Sequence, residues 1–156
     1  MTHVVAASGP GSRVSMDRIA AFRLWLVPIG RTLFAALFIA AGLGHFSAST
    51  IAYAGYRGVP FPNLAVPMSG LIAFAGGVSI LLGYRARLGA WLIVLFLVPV
   101  TLKMHRFWTV ADPTMAMLEQ VMFMKNVSML GAALIIAHFG AGPISLDGHR
   151  SSRTAS

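Results

Sequence analysis

Four apolar stretches separated by turns dominate the hydropathy pattern of this chain. The first, residues 27–46, follows Arg23 and Trp25 and holds Arg31 near its start. As a helix rising ~1.5 Å per residue it matches a hydrocarbon layer of ~30 Å. The second, residues 66–83, comes after a loop with Tyr53, Tyr56, Arg57, Pro60 and Pro62. The third, residues 88–102, spans only about 22 Å as a helix. Arg87 and Lys103 extend it by reaching the headgroups, and Pro99 kinks its end. The fourth, residues 121–139, carries Lys125 and Asn126. Inside a bilayer only a helix or a closed barrel satisfies the backbone. The pattern therefore predicts an all-α membrane four-helix bundle: a flexible tail over 1–22 turning helical near Asp17, a four-span domain over 23–146, and a polar tail over 147–156. A competing reading makes the first stretch a signal peptide with Ser47-Ala48-Ser49 at its cleavage site. Arg31 within the apolar run and the length of that run argue against it. Small residues recur every fourth position at Ala36, Ala40 and Gly44 and at Ser69, Ala73 and Gly77. These stripes predict that the first two spans pack closely through them.

Composition sharpens the picture. Hydrophobic residues make up 57% and charged residues 10% of 156, against roughly 25% charged in soluble domains. A water-soluble core of this size cannot bury so much apolar surface, and disorder needs the opposite composition. Twelve basic against four acidic residues give +8. The basic residues are scattered at span ends, so the partner they imply is the lipid bilayer and not nucleic acid. Arg13, Arg18, Arg23, Arg85, Arg87, Arg150 and Arg153 fall on the side that holds both termini, and Arg57, Lys103 and Arg106 on the other. The asymmetry predicts cytoplasmic termini. The chain has no cysteine, which removes disulfides, thiolate nucleophiles and cysteine-held clusters.

Candidate chemistry gathers at the non-cytoplasmic ends of the spans. His45 ends the first, Lys103, His105 and Arg106 end the third, and Glu119, Lys125 and Asn126 begin the fourth. Lys125 lies about 6 Å inside the fourth span, where a charge should face protein or water. Glu119 or Asp112 is its most available counter-ion. At helical spacing Thr101, His105 and Trp108 share one face. The candidate ligand-binding residues are His45, His105, Trp108, Lys125 and Asn126, with Arg31, Arg106 and Glu119 as secondary candidates. No catalytic residue stands out. Plain structural readings exist beside these: Lys103 and Arg106 as interface anchors, Trp108 in an aromatic belt, His45 as a cap, and Met115, Met117, Met122, Met124 and Met129 as packing rather than metal ligands. No histidine pair has metal-ligand spacing within one helix, so no metal site is expected. His45 and His105 from different helices remain the one route to a shared haem.

Several segments resemble a known family. Arg31 leading into Leu33-Phe34, then Gly42-Leu43-Gly44-His45-Phe46, Phe74-Ala75-Gly76-Gly77 and Leu82-Gly83-Tyr84-Arg85-Ala86-Arg87 are similar to DoxX proteins, small four-helix membrane proteins. So are His105-Arg106-Phe107-Trp108, the run Phe123-Met124-Lys125-Asn126-Val127-Ser128-Met129-Leu130-Gly131, and Ser145-Leu146-Asp147 after Gly140-Ala141-Gly142-Pro143. The resemblance covers residues 23–147 and departs at Ala132, where many members have a second glycine. It implies a multi-pass protein of the bacterial inner membrane. Some members are linked to quinone-coupled sulfur oxidation or to membrane-associated oxidoreductase complexes.

Two function classes follow from the residues and the resemblance. In one, the protein is a quinone-interacting subunit of a redox complex: His105 and Lys125 hydrogen-bond a quinone carbonyl, Asn126 orients it, Trp108 or Phe107 stacks on its ring, and a soluble or membrane redox partner supplies electrons. In the other it is a non-enzymatic membrane component or small-solute transporter, with Lys125 and Arg106 supplying positive charge. Homo-oligomers are compatible with both.

Overall fold

The computed structural model describes the backbone of residues 10–153 and the side chains of residues 21–149. The chain runs through α1 (Pro10–Gly44), α2 (Ala48–Tyr56), α3 (Pro62–Leu82), α4 (Ala86–Met104), a 3-10 turn (Phe107–Thr109), α5 (Pro113–Phe139) and α6 (Leu146–Arg153). Among the described residues four segments are long and apolar enough to cross a membrane: Ala21–Gly44, Pro62–Leu82, Ala86–Thr109 and Pro113–Phe139. This is the all-α, four-span architecture expected from the apolar pattern.

The spans form a row, α1 against α3, α3 against α4 and α4 against α5. Small residues fill the interior, with Ala35, Ala73, Ala90 and Ala133 fully buried around Phe38, Ile80, Ile93 and Leu97. Leu33, Leu37, Leu95 and Ile135 face outward. Lipid is as apolar as leucine, so close backbone approach rather than burial holds such helices together.

The stripe on α3 packs as expected, but the one on α1 is rotated from it. Ala36, Ala40 and Gly44 are exposed, and the contact runs through Ala35, Ile39 and Gly42. A Cβ on Gly42 would come within 2.8 Å of the Gly70 carbonyl, whereas one on Gly44 would meet nothing within 4 Å. Small residues occur in two frames on α1, and only the frame that seats Gly42 on Gly70 lets the backbones touch.

The ends of the helices also differ from the apolar blocks. Helix α1 begins at Pro10, ahead of Asp17 where the N-terminal tail was expected to turn helical, while residues 1–9 lie outside the described residues. Asp112 caps α5, its Oδ1 accepting from the Met115 amide at 2.7 Å, and Pro113 starts it. Pro at the first helical position and an acidic cap are strong start signals that the hydropathy boundary at 121 passes over. Part of the expected polar C-terminal tail folds as α6, with residues 154–156 outside the described residues.

The segment after α5 stitches the terminal end of the bundle together. Arg31 on α1 donates to the Ala141 carbonyl at 2.6 Å and the Ile144 carbonyl at 3.1 Å. Asp147 accepts from the Arg85 and Ala86 amides at 3.0 and 3.2 Å, capping α4 from a distant point in the chain. Arg85, the residue before α4, has φ 49° and makes no side-chain cap of its own. The Asp147 amide donates to the Gly83 carbonyl at 2.9 Å. Gly83 has φ 63°, and a Cβ there would lie 2.5 Å from that of Ser145. Glycine is thus required both by conformation and by space.

Candidate functional site

The opposite end of the bundle, the loop end, carries α2 and the 3-10 turn. Ser47 starts α2, its hydroxyl accepting from the Thr50 amide at 3.3 Å. The helix ends at Arg57, whose guanidinium donates to the Met104 carbonyl at the end of α4. The same group meets Glu119 Oε1 on α5 at 3.3 Å, and the other Glu119 oxygen lies 2.8 Å from His105 Nδ1. Arg57, Glu119 and His105 thereby tie α2, α4 and α5 into one polar knot. Arg57 and Glu119 are 17% and 15% exposed, so the pair is screened far less than a surface one.

Beside this knot lies a cavity of about 390 Å³ between α1, α2, α3 and α4. Its wall is mostly apolar, from residues such as Ala54, Val59, Val66, Pro99, Val100 and Met104, and its polar groups belong to His45, Thr50, Ser69 and Lys103. His45 Nδ1 lies 2.6 Å from the Ala41 carbonyl. A carbonyl only accepts, so Nδ1 carries the proton and Nε2 is left as the ring's remaining polar atom. The imidazole packs edge-on to Phe96 with centroids 5.4 Å apart. A Cβ on Gly70 would fall 2.6 Å from that of His45, so α3 is bare where the histidine sits. Lys103 lies against the turn after α2, its Nζ 3.8 Å from where a Cβ on Gly58 would stand.

The sequence candidates are distributed unevenly around this geometry. His45 lines the cavity. His105 and Glu119 belong to the knot, and Glu119 is engaged there rather than with Lys125. Trp108 is 56% exposed. It packs edge-on with Phe107 and Phe123 at centroid distances of 5.0 and 5.8 Å, seating the 3-10 turn on α5. Because α4 ends at Met104 and His105 takes φ −114° and ψ 47°, helical spacing fails there and Thr101, His105 and Trp108 do not share a face. Asn126 is buried while Lys125 next to it points outward, as adjacent helical residues diverge by about 100°. Because α5 starts at Pro113, eight residues before the apolar block, Lys125 is about 18 Å from the helix start and about 6 Å from the start of that block. Arg106 has its Nε buried without a hydrogen-bond partner, and Arg31 serves the opposite end of the bundle. Ser69, Thr50 and Arg57 lie outside the sequence candidates, and Lys103, read there as an interface anchor, lines the cavity. The signal for Arg57 is that it is the one cation between the first and second apolar stretches, on the same side of the bundle as the two acids, Asp112 and Glu119, that precede the fourth.

Comparison with known proteins agrees with this architecture. The family model described as DoxX matches residues 26–106. The chain is 31% identical over 98 residues to inner membrane protein YphA of Escherichia coli K12, covering 63% of this chain and 69% of that protein. To inner membrane protein YqjF of the same organism it is 32% identical over 123 residues, covering 78% and 88%. No solved structure gives a significant match. Four apolar helices, the matched family model and relatives aligned over most of their length together make this chain a member of the DoxX family.

Proposed function

We propose that the protein is an inner-membrane subunit that binds a membrane-dissolved quinone in the loop-end cavity and works with a redox partner, its termini in the cytoplasm and its loop end on the outer side. The observation that carries this reading is the cavity itself. Its volume of about 390 Å³ falls in the range of about 300–1,000 Å³ usual for small-molecule sites. Its apolar wall with a few convergent polar groups fits a flat ring bearing oxygen atoms, and it adjoins lipid, where such a ligand dissolves.

When bound, a quinone supplies two-electron carrier chemistry. The chain supplies positions for its oxygens. Lys103 has three donors and no acceptor, so it suits a carbonyl. His45, with Nδ1 committed to Ala41, offers Nε2 to accept from the hydroxyl of the reduced ring or to donate once protonated. This moves the ligand contact from His105 and Lys125, the pair expected from sequence, to His45 and Lys103. The basic asymmetry in the loops supports the orientation, and the inner-membrane relatives support the location.

Titration of the purified protein in nanodiscs with a short-chain quinone, followed by quenching of intrinsic tryptophan fluorescence, tests the reading. Lys103→Leu and His45→Phe should each weaken binding about tenfold, the loss of one hydrogen bond to a charged group or its equivalent. Lys125→Leu should leave it unchanged. Equal affinity in all four proteins sinks the quinone assignment and leaves a non-enzymatic membrane component or solute transporter.

A further inference from the structure

The outward face of α5 points to a second activity of the molecule, separate from the cavity. Lys125 stands exposed on that face, about 18 Å along a helix about 40 Å long. Its Nζ turns back to Met122 Sδ at 3.3 Å, a weak acceptor. Among the described residues no carboxylate lies within ion-pair reach of it. Ser128, one turn on and exposed, borders Lys125, and further round the same exposed side stands Gly131, where a Cβ would meet nothing within 4 Å. Helix α5 is also the least enclosed span, 11% of its apolar window being buried against 33% for α3 and α4. Glu119, level with the end of α4, lies six residues or about 9 Å before Lys125, and a lysine facing hydrocarbon beyond that level is costly, while the small Ser128 beside it lets another helix backbone approach.

We propose that this face docks a transmembrane helix of a different membrane protein, one that carries an aspartate or glutamate at the depth of Lys125. Charge complementarity chooses the occupant, because a second copy of this chain cannot supply the carboxylate. The chain has four acidic residues. Asp112 caps the start of α5, Glu119 has both oxygens engaged by Arg57 and His105, and Asp147 holds the amides of Arg85 and Ala86. Asp17 lies 44 − 17 = 27 residues before the end of α1, about 40 Å from the loop end where Lys125 is about 18 Å from it. Copies in one membrane share an orientation, so a symmetric pairing through α5 brings one Lys125 towards another. Lipid phosphates are the other source of negative charge near the loop end, and they are present with every peptide, so a preference for an acid-bearing helix over an apolar one separates a foreign helix from a headgroup. An intramembrane acid on a foreign helix meets both the charge and the depth.

The absence of native cysteine allows one fluorophore to be placed at Ala111→Cys, in the exposed loop before α5. The full-length protein in lipid vesicles is titrated with synthetic polyleucine transmembrane helices carrying an acceptor dye and either one central glutamate or none, and association is read by energy transfer. The glutamate helix should bind at least about tenfold more tightly than the all-leucine helix, with the preference lost in Lys125→Leu and in Lys125→Gln. Lys125→Glu should prefer a helix with a central lysine. Removing the charge eases insertion, so Lys125→Leu and Lys125→Gln still reach the membrane. Equal binding of the two helices, or a preference that survives in Lys125→Leu, overturns the proposal. So does efficient disulfide formation between two copies of a Ser128→Cys protein, which would assign the face to a homodimer.

Discussion

Arg57 and Glu119 meet at 3.3 Å across the loop end, joining the residue that closes α2 to the first third of the last span. The contact turns three separate helix ends into one unit, because Arg57 also holds the Met104 carbonyl and Glu119 also holds His105. Removing one member of a largely buried pair leaves the other poorly solvated, which costs more than the pair itself contributes. Glu119→Gln should therefore lower the detergent melting temperature by several degrees, from a loss of about 1–3 kcal/mol. Arg57→Ala should cost more, since it also strands the Met104 carbonyl. Thermal denaturation followed by circular dichroism measures both, and an unchanged melting temperature in Arg57→Ala would show that the knot contributes nothing to stability.

The terminal end has a comparable device in Asp147. Its two oxygens hold the first amides of α4, the donors that a helix cannot satisfy itself. Asp147→Ala should destabilise the protein by about 1–2 kcal/mol, the usual worth of such a cap. It should also raise hydrogen exchange at the Arg85 and Ala86 amides well above that elsewhere in α4. Asp147→Asn keeps one acceptor oxygen and should lose less. Uniform exchange along α4 in both variants would contradict the capping role.

The sequence showed the spans more readily than their ends. Four apolar blocks are enough for four helices because lipid admits little else. Hydropathy does not see starts such as Asp112-Pro113, where polar residues belong to the helix but not to the oil, so the helix begins eight residues before the apolar block. Rotation was also hidden. Ala36 and Ala40 repeat as neatly as the residues that do pack, and only the approach of Gly42 to Gly70 distinguishes the two frames. At the site, the layer of polar residues at one end of the bundle was readable, but its division into a knot and a cavity was not. That division depends on where α4 stops: His105 leaves helical geometry, swings to Glu119, and leaves Lys103 on the cavity wall.

The membrane orientation has its own test. Both ends of a four-span chain share a side, and the terminal end carries the larger set of arginines. A reporter active only in the cytoplasm should work when fused after Ser156 and fail when inserted after Gly58. A reporter active only outside should do the reverse. Identical behaviour at the two positions would require an even number of crossings between them, against the three that α3, α4 and α5 make.

Three glycines discriminate the packing frames within one experiment. Gly42→Ala places a methyl 2.8 Å from the Gly70 carbonyl and 2.9 Å from Phe74, with backbone on both sides and no flexible tip to yield. It should force α1 and α3 apart and cost several degrees of melting temperature, as overpacking of a tight contact does. Gly44→Ala and Gly131→Ala meet open space, and replacing a helical glycine by alanine favours the helix by up to about 1 kcal/mol. In the isolated protein both should be neutral or slightly stabilising. In native membranes the two should separate if α5 has a partner, because Gly131→Ala then adds a methyl to a helix contact while Gly44→Ala remains in lipid. Cross-linking yield to that partner, compared between the two variants, measures the difference, and equal yields would remove Gly131 from the contact.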